Sequence, residues 1–207
     1  MPTFINTLKA GQEAQGSRLK TGSDGRIVIS AEEDRLSAKF SVQGVGSYWK
    51  TRGSSKWEHD TALGPQGFVA DSRWELTITP SRVVVWLPLV SGVFGGMKMK
   101  PGKATGGTVP FAQVDKIDRD RDLWLTFQVV GGGPLTDGMA LELRFASPED
   151  ARKFSACLAD SIIGFWRERK VAGIDRIEAE LSRLRDLDWS GSGKLSLSLA
   201  KAGAPIY

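Results

Sequence analysis

"MALELRFASPEDARKFSACL", residues 139–158, changes its hydrophobic period half-way along. Met139, Leu141, Leu143 and Phe145 alternate with other residues, the period of a half-buried strand. Ser147, Pro148, Glu149 and Asp150 follow: a hydroxyl cap, a proline at the first helical position and two acids in the first turn. Ala151, Phe154, Leu158, Ile162 and Phe165 then recur at spacings of three and four, which is one face of a helix. The stretch predicts a strand running into an amphipathic helix. It divides the chain into strands before it and helices after it.

Upstream, RIVIS (26–30) reads as a short strand. LSAKFSVQ (36–43) reads as a half-buried one, with Leu36, Ala38, Phe40 and Val42 inward. SYWK (47–50) is expected to pair back after a turn at Gly44–Gly46. GFVA (67–70), WELTIT (74–79) and RVVVWL (82–87) come next, the last two joined by a Pro80-Ser81 turn. TVPF (108–111), QVDKI (113–117) and LWLTFQVV (123–130) complete the series, and DRDRD (118–122) reads as an exposed hairpin tip. Downstream, the first helix should end near Lys170, with Gly173 as a stop. A second helix over 174–187 carries Ile174, Ile177, Leu181 and Leu184 on one face. That face can pack on its own domain or serve a partner helix. In the tail, Leu195, Leu197 and Leu199 alternate with serines, a pattern that fits an edge strand or an unstructured extension.

Catalytic groups are scarce. His59 is the single histidine and Cys157 the single cysteine, so neither a histidine-based catalytic pair nor a histidine–cysteine metal site is expected. His59 reads as a loop residue and Cys157 as a buried structural thiol. The glycine clusters match no nucleotide-binding pattern. The expectation is a protein that is not an enzyme and carries no cofactor or metal. One cysteine permits no internal disulfide and fits a reducing compartment. With no secretory pattern and no apolar run of about 18 residues, the expected location is cytoplasmic, with the inner membrane face as a peripheral site.

The net charge of +4 is concentrated. Between Glu75 and Asp115 there is no acid, while Arg82, Lys98, Lys100 and Lys103 are all positive. A local field of one sign favours anionic partners more than a modest global charge does. Pro88 and the glycines that follow predict a long loop over about 89–107, after a strand at 83–87.

Three segments in order, "WELTITPSRVVVW", "GGTVPFAQVDKID" and "MALELRFASPEDARKFSACL", resemble the pleckstrin-homology superfold, and within it the GRAM and bacterial members, over about residues 64–170. The resemblance implies a mostly β fold with C-terminal helices: a seven-stranded barrel plugged by the helix face of Phe154, Leu158, Ile162 and Phe165. Residues 1–63 would be an N-terminal extension with a β-hairpin, 64–170 the barrel domain, and 171–207 a second helix and tail. It also implies a non-catalytic adaptor that docks a protein partner. Members that bind phosphoinositides use basic loops at the barrel's open end. Lys98, Lys100, Lys103 and Arg82 are therefore the candidate anionic-ligand residues, with Val93, Phe94 and Met97 as a membrane wedge. In this chain the basic loop joins the third and fourth strands instead of the first two. Nucleic acid is a weaker partner, because one patch of three lysines releases few counterions.

Overall fold

The computed structural model describes residues 27–51, 53, 56–59, 68–69, 74–87, 93–94, 97–98, 105–130 and 136–206. In chain order the elements are α1 (Ala31–Arg35), β1 (Ala38–Val42), β2 (Gly44–Thr51), β3 (Trp57–His59), β4 (Phe68–Val69), β5 (Trp74–Ile78), β6 (Arg82–Leu87), β7 (Val93–Phe94), β8 (Met97–Lys98) and β9 (Thr105–Pro110). A 3-10 turn at Phe111–Gln113 leads to β10 (Val114–Arg119), β11 (Trp124–Val130), β12 (Thr136–Arg144), α2 (Pro148–Glu168), α3 (Ile174–Arg185), β13 (Leu195–Ser198) and α4 (Leu199–Ala202).

The fold is mixed β and α: two antiparallel sheets and C-terminal helices. The first sheet has the order β1-β5-β6-β9. The second runs β13-β10-β11-β12-β2-β3, with β4 also on β2. Their inner faces supply the core predicted from alternation. Trp74, Leu76, Ile78, Val83 and Val85 come from one sheet, and Leu125, Phe127, Leu141 and Leu143 from the other. The α2 stripe of Ala151, Phe154, Leu158, Ile162 and Phe165 is buried against them.

The sheets do not close into the expected barrel. Closure would need β10 to pair with β9, but both edges of β10 are already taken, one by β11 and one by β13. The chain instead changes sheet at two corners. At the first, the Gln43 amide donates to the Arg144 carbonyl and separates β1 from β2. At the second, Pro110 contributes no N–H and the 3-10 turn follows.

Several local expectations also change. Among the described residues of RIVIS, 27–30, Ile27 makes an isolated bridge and the others lie in no strand. Ser30 instead caps α1, its Oγ accepting from the Glu33 amide at 3.1 Å. Glu32, Glu33 and Asp34 fill that first turn, where the helix dipole favours acids. Leu36, assigned inward, is 62% exposed because β1 starts two residues later. SYWK does not fold back on its neighbour. It lies in β2 and pairs with β12, Leu141 opposite Ser47, and the ladders of β1 and β2 cross the division drawn at residue 63. His59 falls in β3, not in a loop.

Helix α2 starts as its sequence dictates. Ser147 Oγ accepts from the Asp150 amide at 3.1 Å. After the helix Lys170 takes φ 50° and Gly173 φ 87°, which turns the chain into α3. A Cβ at Gly173 would be strained by that φ and would also meet the Arg176 guanidinium at 3.0 Å. An Arg167–Glu178 ion pair at 2.7 Å ties α2 to α3.

Candidate functional site

The charge pattern of DRDRD puts Asp118 and Arg119 alike in a solvated tip. The structure separates them. β10 continues through Arg119, so its inward phase runs from Ile117 to Arg119 and its outward phase falls on Asp118. The turn proper is confined to residues 120–123.

Arg119 is 1% exposed. A buried guanidinium must find acceptors, since an unpaired buried charge is costly. It finds them in the loop before β13. Its Nη1 donates to the carbonyls of Asp188 at 3.1 Å and Gly193 at 2.5 Å, and its Nη2 donates to the carbonyl of Gly191. Asp122 lies 3.5 Å from Nη2. The Trp189 ring covers the cation, 4.9 Å from centroid to Cζ. The planar fork of arginine suits several carbonyls at fixed angles, which a lysine cannot match. One side chain thus organises a loop rich in serine and glycine and delivers the tail to the sheet edge.

The tail then joins β10 as an antiparallel strand, Leu197 opposite Ile117 and Ser196 opposite Asp118. Leu195, Leu197 and Leu199 are buried. Ser196 and Ser198 face outward, donating to Asp118 Oδ1 at 2.6 Å and Asp115 Oδ1 at 3.4 Å. Gln128 Nε2 also donates to Asp118, at 3.0 Å. Of the two readings of the tail, the edge strand is the one present.

Beside this edge the outer face of the second sheet forms an open groove of about 490 Å³, bordered by Tyr48, Asp118, Gln128, Glu142 and Lys194. Tyr48 donates its hydroxyl to Glu142 at 2.7 Å. Burial first, then that hydrogen bond and the Glu142 charge, push the phenol up to about 12. Glu142 also accepts from Arg121 at 2.9 Å, and the Arg121 guanidinium lies over the Trp124 ring at 4.1 Å.

The predicted site residues are scattered. Arg82 is half-buried and bidentate with Glu33, at 2.9 and 3.0 Å. Burial alone would raise Glu33, but hydrogen bonds from Arg82 and Thr79 and the Arg82 charge outweigh it and hold the carboxyl below its usual value. Val93, Phe94, Met97 and Lys98 are described by backbone alone: β7 pairs with β8, Phe94 opposite Met97 and Val93 opposite Lys98. Lys100 and Lys103, with most of the 89–107 loop, lie outside the described residues, as does the 1–25 segment. Ile177, Leu181 and Leu184 are fully buried within this chain, and Ile174 is packed against the same core. That face therefore packs on the chain itself, the first of its two readings.

Cys157 is half-buried on α2. Burial raises its thiol above the ordinary value and keeps it a poor nucleophile near neutral pH. Among the described residues no cluster of histidine, cysteine and carboxylates is arranged to hold a metal ion. Among them, too, no helix is long and apolar enough to cross a membrane. Arg119, Tyr48 and Glu142 were not singled out from sequence. For Arg119 the signal lies in the strand's alternation, two residues after Ile117. No protein-family model matches the chain, and no curated protein matches it.

Proposed function

We propose that the chain is a non-catalytic binding module on a pleckstrin-homology-like scaffold, and that it docks a protein partner. The observation that carries this reading is the outer face of the second sheet. Its open groove carries Tyr48 and adjoins the stacked Arg121–Trp124 pair, and tyrosine, tryptophan and arginine are the residue types enriched at protein interfaces. The scaffold part of the reading draws support from two antiparallel sheets, a chain that passes from β1 in one to β2 in the other across a single residue, and a capped helix after the last long strand.

Crosslinking capture from the native cell tests it. The expected result is one protein in near-stoichiometric amount, crosslinked to Lys50, Lys116 or Lys194 on or beside this face. Recovery of no stoichiometric protein would remove the reading.

A second reading is favoured by the short β7–β8 ladder, which sets Val93 and Phe94 beside Met97 and Lys98. An apolar pair next to basic residues is the composition of a peripheral contact with anionic lipid. Co-sedimentation with phosphatidylserine vesicles at low salt decides it. Sedimentation that is lost when Lys98, Lys100 and Lys103 are neutralised supports the membrane contact, and no sedimentation removes it.

A further inference from the structure

The edge of β10 displays how this chain recognises an extended segment, because its own tail occupies it. We infer that this edge is a strand-addition site for a partner peptide, which enters by replacing residues 195–198. The proposal rests on the binding-module reading and assigns its ligand chemistry.

The bound tail spells out the requirement. Leu195 and Leu197 are buried at alternate positions of the strand, so a replacing segment needs apolar residues at that spacing. The intervening positions face Asp118 and Asp115, and there the tail offers only serines. Among the described residues neither carboxylate is in an ion pair; Asp118 receives hydroxyl and amide donors only. A segment with lysine or arginine between its apolar residues supplies both the leucine contacts and the missing charge. The ligand is thus an extended peptide of apolar–basic alternation.

The tail is attached in a way that allows exchange. Its ladder is four residue pairs long, against seven between β11 and β12. It is reached by residues 186–194, which have no regular structure and are held by the Arg119 guanidinium and by Trp189, buried against Phe145. Simple opening is disfavoured, because it would leave two leucine sites and a bare strand edge in water. Replacement by a matching strand leaves neither. The tail therefore covers the edge until a better-matched segment arrives.

The test uses the full chain and a fluorescent synthetic peptide of residues 192–206. In the variant Ser196→Asp, Ser198→Asp, like charges oppose Asp118 and Asp115 while the leucines stay in place. That variant should bind the peptide at least tenfold more tightly than the wild-type chain does. A peptide with lysine at both outward positions should bind at least tenfold more tightly again, and a Leu195→Asp, Leu197→Asp peptide should not bind. Equal binding of all three peptides, or of none, overturns the proposal. Native-state hydrogen exchange on the wild-type chain needs no variant: the 195–198 amides should exchange at least tenfold faster than those of β11. If they exchange only with β11, in global unfolding, the tail is a permanent strand and the proposal fails. Capture of a stoichiometric partner with a closed edge would sink the strand-addition site alone and leave the binding-module reading standing.

Discussion

The Arg119 guanidinium lies 4.9 Å from the centroid of the Trp189 ring, and both side chains are buried. A cation stacked on an aromatic face and bonded to three carbonyls of the same loop acts as that loop's organising centre. Hydrogen bonds to charged groups are worth about 1.5–3 kcal/mol each, and the orphaned carbonyls add to the loss. Arg119→Met should therefore lower unfolding stability by about 3 kcal/mol or more. Arg119→Lys should recover less than half of it, because an ammonium lacks the fork. Urea unfolding of the three proteins measures this. A lysine variant as stable as the wild type would show that charge alone is needed.

Phe154 sits where helix and both sheets meet. Its ring contacts Phe40 at 5.3 Å, Phe145 at 5.2 Å and Phe127 at 6.3 Å between centroids. Phe154→Ala leaves a cavity among groups fixed by three elements, so collapse into it is limited. The expected loss is about 3–5 kcal/mol, a fall in melting temperature of roughly 10 °C for a domain of this size. Thermal unfolding followed by circular dichroism should show it. A fall comparable to that of an exposed control such as Lys153→Ala would mean that the core rearranges around the deletion.

Much of this framework was legible in the sequence, because local chemistry determines it. Ser147 and Pro148 announced α2, and its buried stripe follows from the 3.6-residue period. The alternation of Trp74, Leu76 and Ile78 located β5. Partner choice was not legible. β2 pairs with β12 far along the chain, Thr51 opposite Thr136 and Gly44 opposite Arg144, and alternation says which face is inward but not which strand lies beside it. The resulting open arrangement depends on the tail taking the β10 edge, a long-range event. Arg119 was hidden for another reason. Charge alternation in DRDRD suggested solvent, whereas the strand's own phase placed the arginine inside, where carbonyls of a distant loop satisfy it.

The Glu33–Arg82 pair couples the short helix α1 to the start of β6. Glu33 titrates below its usual value of 4.5 in the folded chain. A depressed carboxyl contributes stability above its unfolded value and loses it as pH falls through the folded one. The wild type should therefore exceed Glu33→Gln in stability at neutral pH, and the gap should shrink as pH drops below 4.5. Denaturant midpoints of both proteins, measured from neutral to acid pH, give the answer. A gap that stays constant through that range would show that the charge on Glu33 contributes nothing.

Tyr48 supplies the opposite sign. Its phenol, buried and donating to Glu142, is pushed up from 10.0 to about 12. Raising a pKa favours the protonated form, so the contribution is complete below pH 10 and is lost as pH climbs towards 12. The chain has two tyrosines, Tyr48 and Tyr207, so the assignment needs Tyr48→Phe. Phenolate absorbance should show a high-pH titration that vanishes in Tyr48→Phe. Glu142→Gln should move that titration down towards 10, because it removes the negative charge while keeping an acceptor for the hydroxyl. The same substitution also releases Arg121 from its carboxylate. A partner that uses the Arg121–Trp124 pair should then bind differently, while one that uses only the β10 edge should not. If Tyr48 titrates near 10 in the wild type, the phenol is solvated and the groove floor lacks the hydrogen bond that fixes it.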